Sequence, residues 1–327
     1  MSSTQYMELY PSLPGLMARV ESGIEELWES ERGFLRLAVR QVLSGRGKRL
    51  RPALTLLAAE CAGGAVDSTI TFAGVVEVVH TASLIHDDVV DGALSRRGRR
   101  SAKAHWGNKV SVLLGDYLIA RAFNTLSRQD RDRRAPALAE VARRMCEGQI
   151  LELRLTGRMI SEPKYLEIVR AKTGALFGLC GQGGAITAGG SPELAEALHR
   201  YGEEFGFAFQ IADDILDLVG SNGRSGKPQG RDLAERKTTL PLILAARSGR
   251  QVRGQLDTLL NAEEVTADSV KLAQDLVAST RALERSWSRV HESLANARAA
   301  LREAPEGEAK RALLAMAGDR FPLPVMS

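Results

Sequence analysis

Ser83-Leu84-Ile85-His86-Asp87-Asp88-Val89-Val90-Asp91 is the stretch on which the reading of this chain turns. Phe209-Gln210-Ile211-Ala212-Asp213-Asp214-Ile215-Leu216-Asp217 repeats its form. Each ends in D-D-x-x-D, with apolar residues between the carboxylates and just before them. A solvated acidic loop would have polar neighbours, so both segments read as helix. On a helix, positions i and i+4 share a face and i+1 lies about 100° round. The carboxylates of each cluster therefore point toward one place while Ile, Leu and Val pack elsewhere. Half-buried like charges repel unless a cation neutralises them. All-oxygen carboxylate sets suit hard cations such as Mg²⁺. Two clusters imply several Mg²⁺ ions, and those imply a polyanionic substrate, a phosphate ester.

Outward from the clusters, helical periodicity dominates. Ile24, Leu27, Trp28, Leu35 and Val39 recur at helical spacing, as do Leu194, Ala197, Leu198 and Tyr201. The second run follows Ser191-Pro192, in which Ser caps and Pro takes the first helical position. Strand-type alternation is scarce. The glycine-rich apolar segment from Gly174 to Gly190 reads as a close-packed internal helix. Gly/Pro-rich or polar breaks fall near Ser44–Lys48, Gly63–Asp67, Gly92–Ser101, Gln129–Pro136, Gly220–Arg231 and Ala304–Glu308. None is long enough to be a domain linker. The expectation is one all-α domain over residues 1–327, with residues 1–15 as an arm that carries no motif.

The bulk numbers agree with a globular protein: 327 residues, 44% hydrophobic and 26% charged. A net charge of +4, from 44 basic against 40 acidic residues, is too even to argue for nucleic acid. Cys61, Cys146 and Cys180 stand far apart and make neither a disulfide framework nor a metal spacing. With no signal-peptide pattern and no apolar run of the ~18 residues a membrane span needs, a cytoplasmic location is expected.

Basic residues follow the acidic ones. Arg96-Arg97-Gly98-Arg99-Arg100 comes after Asp91, Lys227 and Lys237 come after Asp217, and Gly47-Lys48-Arg49-Leu50-Arg51-Pro52 stands near the start. Arg forks and Lys point charges both bind phosphate. Read alone, Arg99 and Arg100 are surface charge, and His86 and His105 are packed side chains.

Taken in order, these motifs, with His80, Gly115-Asp116, Lys172-Thr173, Gln210, Gly226-Lys227-Pro228 and Asp232-Leu233, resemble those of the trans-polyprenyl diphosphate synthases, from about Gly47 to Arg320. The resemblance implies an all-α isoprenoid synthase fold of antiparallel helices around a deep central cavity, as a homodimer. It implies condensation of isopentenyl diphosphate with an allylic diphosphate and release of pyrophosphate. By the same resemblance, Asp87, Asp88, Asp91, Asp213, Asp214 and Asp217 bind Mg²⁺. For Asp88 and Asp217 a supporting place behind the ion stays open beside direct ligation. Arg96, Lys172, Thr173, Gln210, Lys227 and Lys237 resemble the allylic-diphosphate ligands, and Lys48, Arg51, His80 and Arg97 the isopentenyl-diphosphate ligands.

In such enzymes the product grows along the helix before the first cluster, and bulky residues just before it stop growth. Here those positions are Ala82 and Ser83, both small, with valines further up. A medium or long all-trans product is expected, and transient contact with a membrane surface follows from its lipid character. Three alternatives stay in view: a geranylgeranyl diphosphate synthase, a class I terpene cyclase and a non-catalytic subunit of a heteromeric synthase. The second D-D-x-x-D and Gly47–Pro52 argue against the cyclase.

Overall fold

The computed structural model describes residues 10–28, 32–44, 47–96, 98–128, 134–220, 230–318 and 321. Its helices are α1 (Leu13–Glu26), α2 (Gly33–Leu43), α3 (Leu50–Cys61), α4 (Asp67–Val90), α5 (Ala102–Ser127), α6 (Arg134–Leu155), α7 (Glu162–Val169) and α8 (Ala175–Thr187). There follow α9 (Pro192–Val219), α10 (Arg231–Ala234), α11 (Leu240–Ala246), α12 (Arg250–Leu260), α13 (Ala267–Ala278), α14 (Ala282–Ala300) and α15 (Glu308–Met316). Among the described residues, strand is confined to the hairpin of β1 (Ser95–Arg96) and β2 (Arg99–Arg100), which pairs Ser95 with Arg100 and Arg96 with Arg99. The all-α expectation is met.

The chain forms two compact units. Unit 1 takes the described residues of Met1–Glu140, Phe177–Gly202 and Arg298–Phe321; unit 2 takes those of Val141–Leu176 and Glu203–Ala297.

In unit 1, α4 is the central element, packed by α1, α3 and α5. It is apolar nearly all round, and such a helix belongs in a core. Its most apolar 18-residue window has a mean hydropathy of 1.4 and is 72% buried; among the described residues it is the one helix long and apolar enough to cross a membrane. Burial inside the protein accounts for that composition. Thr69 ties its start, accepting from Val66 N at 3.2 Å and meeting the Thr187 hydroxyl of α8 at 2.8 Å. The glycines of α8 let it lie against its neighbours. A methyl group on Gly184 would collide with the Thr55 carbonyl of α3, and one on Gly181 with the Leu198 carbonyl of α9. The expected internal helix is therefore present, and Ser191 caps α9 as expected, accepting from Leu194 N at 3.2 Å.

The apolar positions from Ile24 to Val39 do not share one helix: Ile24 lies in α1, Leu27 and Trp28 follow its end, and Leu35 and Val39 lie in α2, which Gly33 starts with φ +58, a value that favours glycine. Helix α1 begins at Leu13, whose side chain is fully buried. All three cysteines are free, and burial pushes the Cys61 and Cys180 thiols up to about 12.

In unit 2, α11 packs on α7, α12 and α13. Between α7 and α8 the backbone opens into a π-helical turn, Arg170–Gly174, which carries Lys172 and Thr173. Such turns cluster at functional sites.

Candidate active site

The first acidic cluster closes α4. Asp87 lies in its last turn, and Asp91 is the residue that ends it. Asp88 points into the protein and is only 3% exposed. Its Oδ1 accepts from Arg96 Nε of the hairpin at 2.7 Å. Arg99 and Arg100 are exposed, as expected. His86 is a structural side chain: its Nε2 is 3.1 Å from the Val112 carbonyl and 3.4 Å from Asp116 Oδ1. The ring occupies the space beside Gly115 that a side chain there would need. Gly115-Asp116 is thus a seat for the helix turn that bears Asp87.

Lys48 and Arg51 flank the start of α3, where Arg49 adopts a left-handed conformation, φ 48. The Arg51 guanidinium lies 4.3 Å over the Phe177 ring, a cation–π contact. Arg49 turns inward and ion-pairs with Glu21 at 2.8 Å and Glu77 at 2.7 Å. Half-buried His80 lies on α4, and its carbonyl accepts from the Ser83 hydroxyl at 2.8 Å. Ala82 is fully buried.

Unit 2 holds a pocket of about 100 Å³, to which the second cluster contributes Asp214; Lys172, Thr173, Gln210, Asp232 and Lys237 line it together with Glu152, Tyr165 and an apolar wall that includes Leu155, Ile160 and Ile168. Within it a directed chain of hydrogen bonds runs from Thr173 Oγ1 to Gln210 Oε1 (2.9 Å) and from Gln210 Nε2 to Asp214 Oδ1 (2.8 Å). Tyr165 donates to Asp214 Oδ2 at 2.5 Å. Lys172 ion-pairs with Glu152 at 2.5 Å and Lys237 with Glu235 at 2.6 Å. Asp217 receives the start of α10: its Oδ2 accepts from Asp232 N at 3.0 Å, and its carbonyl from Gly230 N at 2.9 Å. Gly230 has φ +75, and a side chain there would strike Val270. The structure thus brings Lys172, Thr173, Gln210, Asp214 and Lys237 to one place. Arg97 and Lys227 lie outside the described residues.

Electrostatics in this pocket favour a cation. Burial raises Asp214 to about 7, with the charges of Asp213 and Glu152 adding to the rise against the hydrogen bonds from Tyr165 and Gln210. Burial also raises Asp217, and raises Asp232 well above the ordinary carboxylate range, with Asp217 and Asp214 contributing. Oxygen donors that repel one another when ionised suit a hard divalent ion, which reverses the balance. Among the described residues no three His, Cys, Asp or Glu groups gather into a set that holds a metal unaided.

Tyr165, Glu152 and Glu235 were not singled out from sequence. A signal existed for the first: Tyr165 stands two helical turns before Lys172 in the apolar run with Ile168 and Val169.

Known proteins decide the family. The sequence model of the family described as Polyprenyl synthetase matches residues 33–277. The chain belongs to that family. As a polyprenyl synthetase it is a prenyltransferase, with the all-α isoprenoid synthase fold. It is 36% identical over 277 residues to octaprenyl diphosphate synthase of Haemophilus influenzae, covering 84% of each chain. It is 37% identical over 301 residues to the geranyl-diphosphate-specific all-trans-nonaprenyl-diphosphate synthase of Rhodobacter capsulatus, covering 91% of each. Among solved structures, polyprenyl synthase from Caulobacter crescentus, complexed with calcium and isoprenyl diphosphate, superposes with a TM-score of 0.89 at 36% identity, over 97% of this chain and 96% of that one.

Proposed function

We propose that this polyprenyl synthetase is a Mg²⁺-dependent enzyme that extends an allylic diphosphate with isopentenyl diphosphate to a medium or long all-trans polyprenyl diphosphate. The observation that carries the length is the composition of the helix before Asp87. Ala82 and Ser83 are small, the Ser83 hydroxyl is folded back on the His80 carbonyl, and no Phe, Tyr or Trp stands between Phe72 and Asp87. The octaprenyl and nonaprenyl products named for two relatives support the same reading.

The clusters Asp87, Asp88, Asp91 and Asp213, Asp214, Asp217 bind the ions together with the allylic diphosphate. When bound, the ions neutralise charge on the departing pyrophosphate. Arg96, Lys172, Thr173, Gln210, Lys227 and Lys237 donate to the same diphosphate; Lys172 and Lys237 exchange Glu152 and Glu235 for phosphate oxygens as it enters. Lys48, Arg51, His80 and Arg97 hold isopentenyl diphosphate with its double bond toward the allylic carbon. Donors fixed before the reaction stabilise the leaving group without reorganising. The wall of Leu155, Ile160 and Ile168 keeps water from the allylic cation, which water would quench. Attack by the double bond and loss of a proton, with pyrophosphate as base, complete one extension.

Residues 1–327 work as one catalytic domain in a cytoplasmic homodimer that touches membranes transiently to hand over product. The exposed Val112 (40%) and Leu113 (67%) of α5 offer an apolar contact for a second copy.

Incubation with Mg²⁺, labelled isopentenyl diphosphate and farnesyl diphosphate, followed by sizing of the dephosphorylated products, tests this. A ladder well beyond geranylgeraniol is expected. A single geranylgeraniol band would overturn the length, and no elongation with any allylic primer would overturn independent activity.

A further inference from the structure

The second residue of each acidic cluster is built differently from the other two. Asp88 and Asp214 are 3% and 6% exposed, whereas Asp87, Asp91, Asp213 and Asp217 are only half-buried. Each buried carboxylate holds a neighbouring side chain that the proposed function assigns to the allylic diphosphate: Asp88 holds Arg96 at 2.7 Å, and Asp214 holds Gln210 at 2.8 Å. Helix geometry permits the divergence, since i+1 lies about 100° round from i and about 60° from i+4.

We propose that Tyr165, to which no role has been attached, is the positioning residue of the second cluster: it fixes Asp214 and, through it, Gln210. The reasoning is a count of donors and acceptors. An amide such as Gln210 can present either its oxygen or its nitrogen. Thr173 donates to Oε1, which fixes that atom, and Asp214 accepts from Nε2, which fixes the other. Nε2 carries a second N–H, so a locked Gln210 always offers a donor to an anionic oxygen. The lock holds only while Asp214 keeps its rotamer. Tyr165, 4% exposed and donating to Asp214 Oδ2 at 2.5 Å, prevents the carboxylate from turning. Tyr165 touches no substrate in this account; it acts through Asp214 and Gln210. The inference rests on the proposed function for the identity of the anion.

Tyr165→Phe deletes one hydroxyl and keeps the buried ring. In the full-length protein, KM for the allylic diphosphate is expected to rise about tenfold, the size of one hydrogen bond to a charged group. KM for isopentenyl diphosphate should stay near wild type, and the thermal midpoint should fall, because the buried Asp214 Oδ2 loses that donor. Calorimetric binding of inorganic pyrophosphate in Mg²⁺ should weaken by a similar factor, a readout independent of turnover. In an Asp214→Asn background the effect of Tyr165→Phe should vanish, because the two act in series. Thr173→Val, which cuts the other end of the chain of bonds, should reproduce the split should the Phe variant misfold. Equal rises in both KM values, unchanged pyrophosphate binding, or a full effect in the Asp214→Asn background would overturn the proposal. A wild-type protein that binds pyrophosphate in a Tyr165-dependent way yet elongates no primer would overturn the function and leave the positioning role standing.

Discussion

Arg49 lies between Lys48 and Arg51 in a run that reads, residue by residue, as uniformly basic, yet its work is different. Its backbone is left-handed, φ 48, a conformation that a non-glycine residue holds only when its surroundings enforce it. Its guanidinium meets Glu21, Glu77 and the Leu43 carbonyl, and the Glu77 side chain is only 6% exposed. Removing one partner of such a pair strands the other charge. Arg49→Ala is therefore expected to destabilise the protein by about 3 kcal/mol or more in urea unfolding. A loss under about 1 kcal/mol would place the pair with ordinary surface ion pairs. Nothing local distinguishes Arg49 from its neighbours, because Glu21 and Glu77 are remote in sequence.

At the scale of the element, α4 carries both the first acidic cluster and the face assigned to product length. Ala82 and Ser83 stand one turn before Asp87, so a bulky side chain there should close the path early. Ala82→Phe or Ser83→Phe should shorten the largest product by several isoprene units on sizing of the dephosphorylated alcohols, with folding checked by thermal melting. An unchanged ladder from a folded variant would detach this face from product length. The position of these residues was legible in sequence, since helical spacing alone relates them to Asp87. The π-helical turn under Lys172 and Thr173 was not. Gly174, which ends that turn, lies close to Glu203, where an added Cβ would sit 3.2 Å from Cγ, and this is a tertiary contact.

Over the molecule as a whole, acid stability should reflect the ties that join distant helices. In unit 2, Glu162 of α7 accepts from Arg289 of α14 at 2.8 Å and ion-pairs with Arg247, which ends α11. Burial alone would raise this carboxyl, but Arg289 and Arg247 hold it below its ordinary 4.5. A depressed carboxylate contributes stability that is present above the unfolded value and lost as pH falls through the folded one. The melting temperature should therefore fall below about pH 4.5, and Arg289→Ala should lower it at pH 7 while flattening that acid limb. An unaltered pH profile in the variant would remove Glu162 from the account.

The sequence by itself determined the all-α class, the two D-D-x-x-D clusters and the order of basic motifs, because each is written in spacing of a few residues along one helix or loop. Tertiary structure decided which members of those motifs do which work. Asp88 and Asp214 turn inward, Arg49 becomes an internal brace, and Tyr165 meets Asp214 only because α7 and α9 bring residues 49 positions apart within 2.5 Å. Burial and partner identity depend on contacts between segments far apart in the chain, and local periodicity carries no record of them.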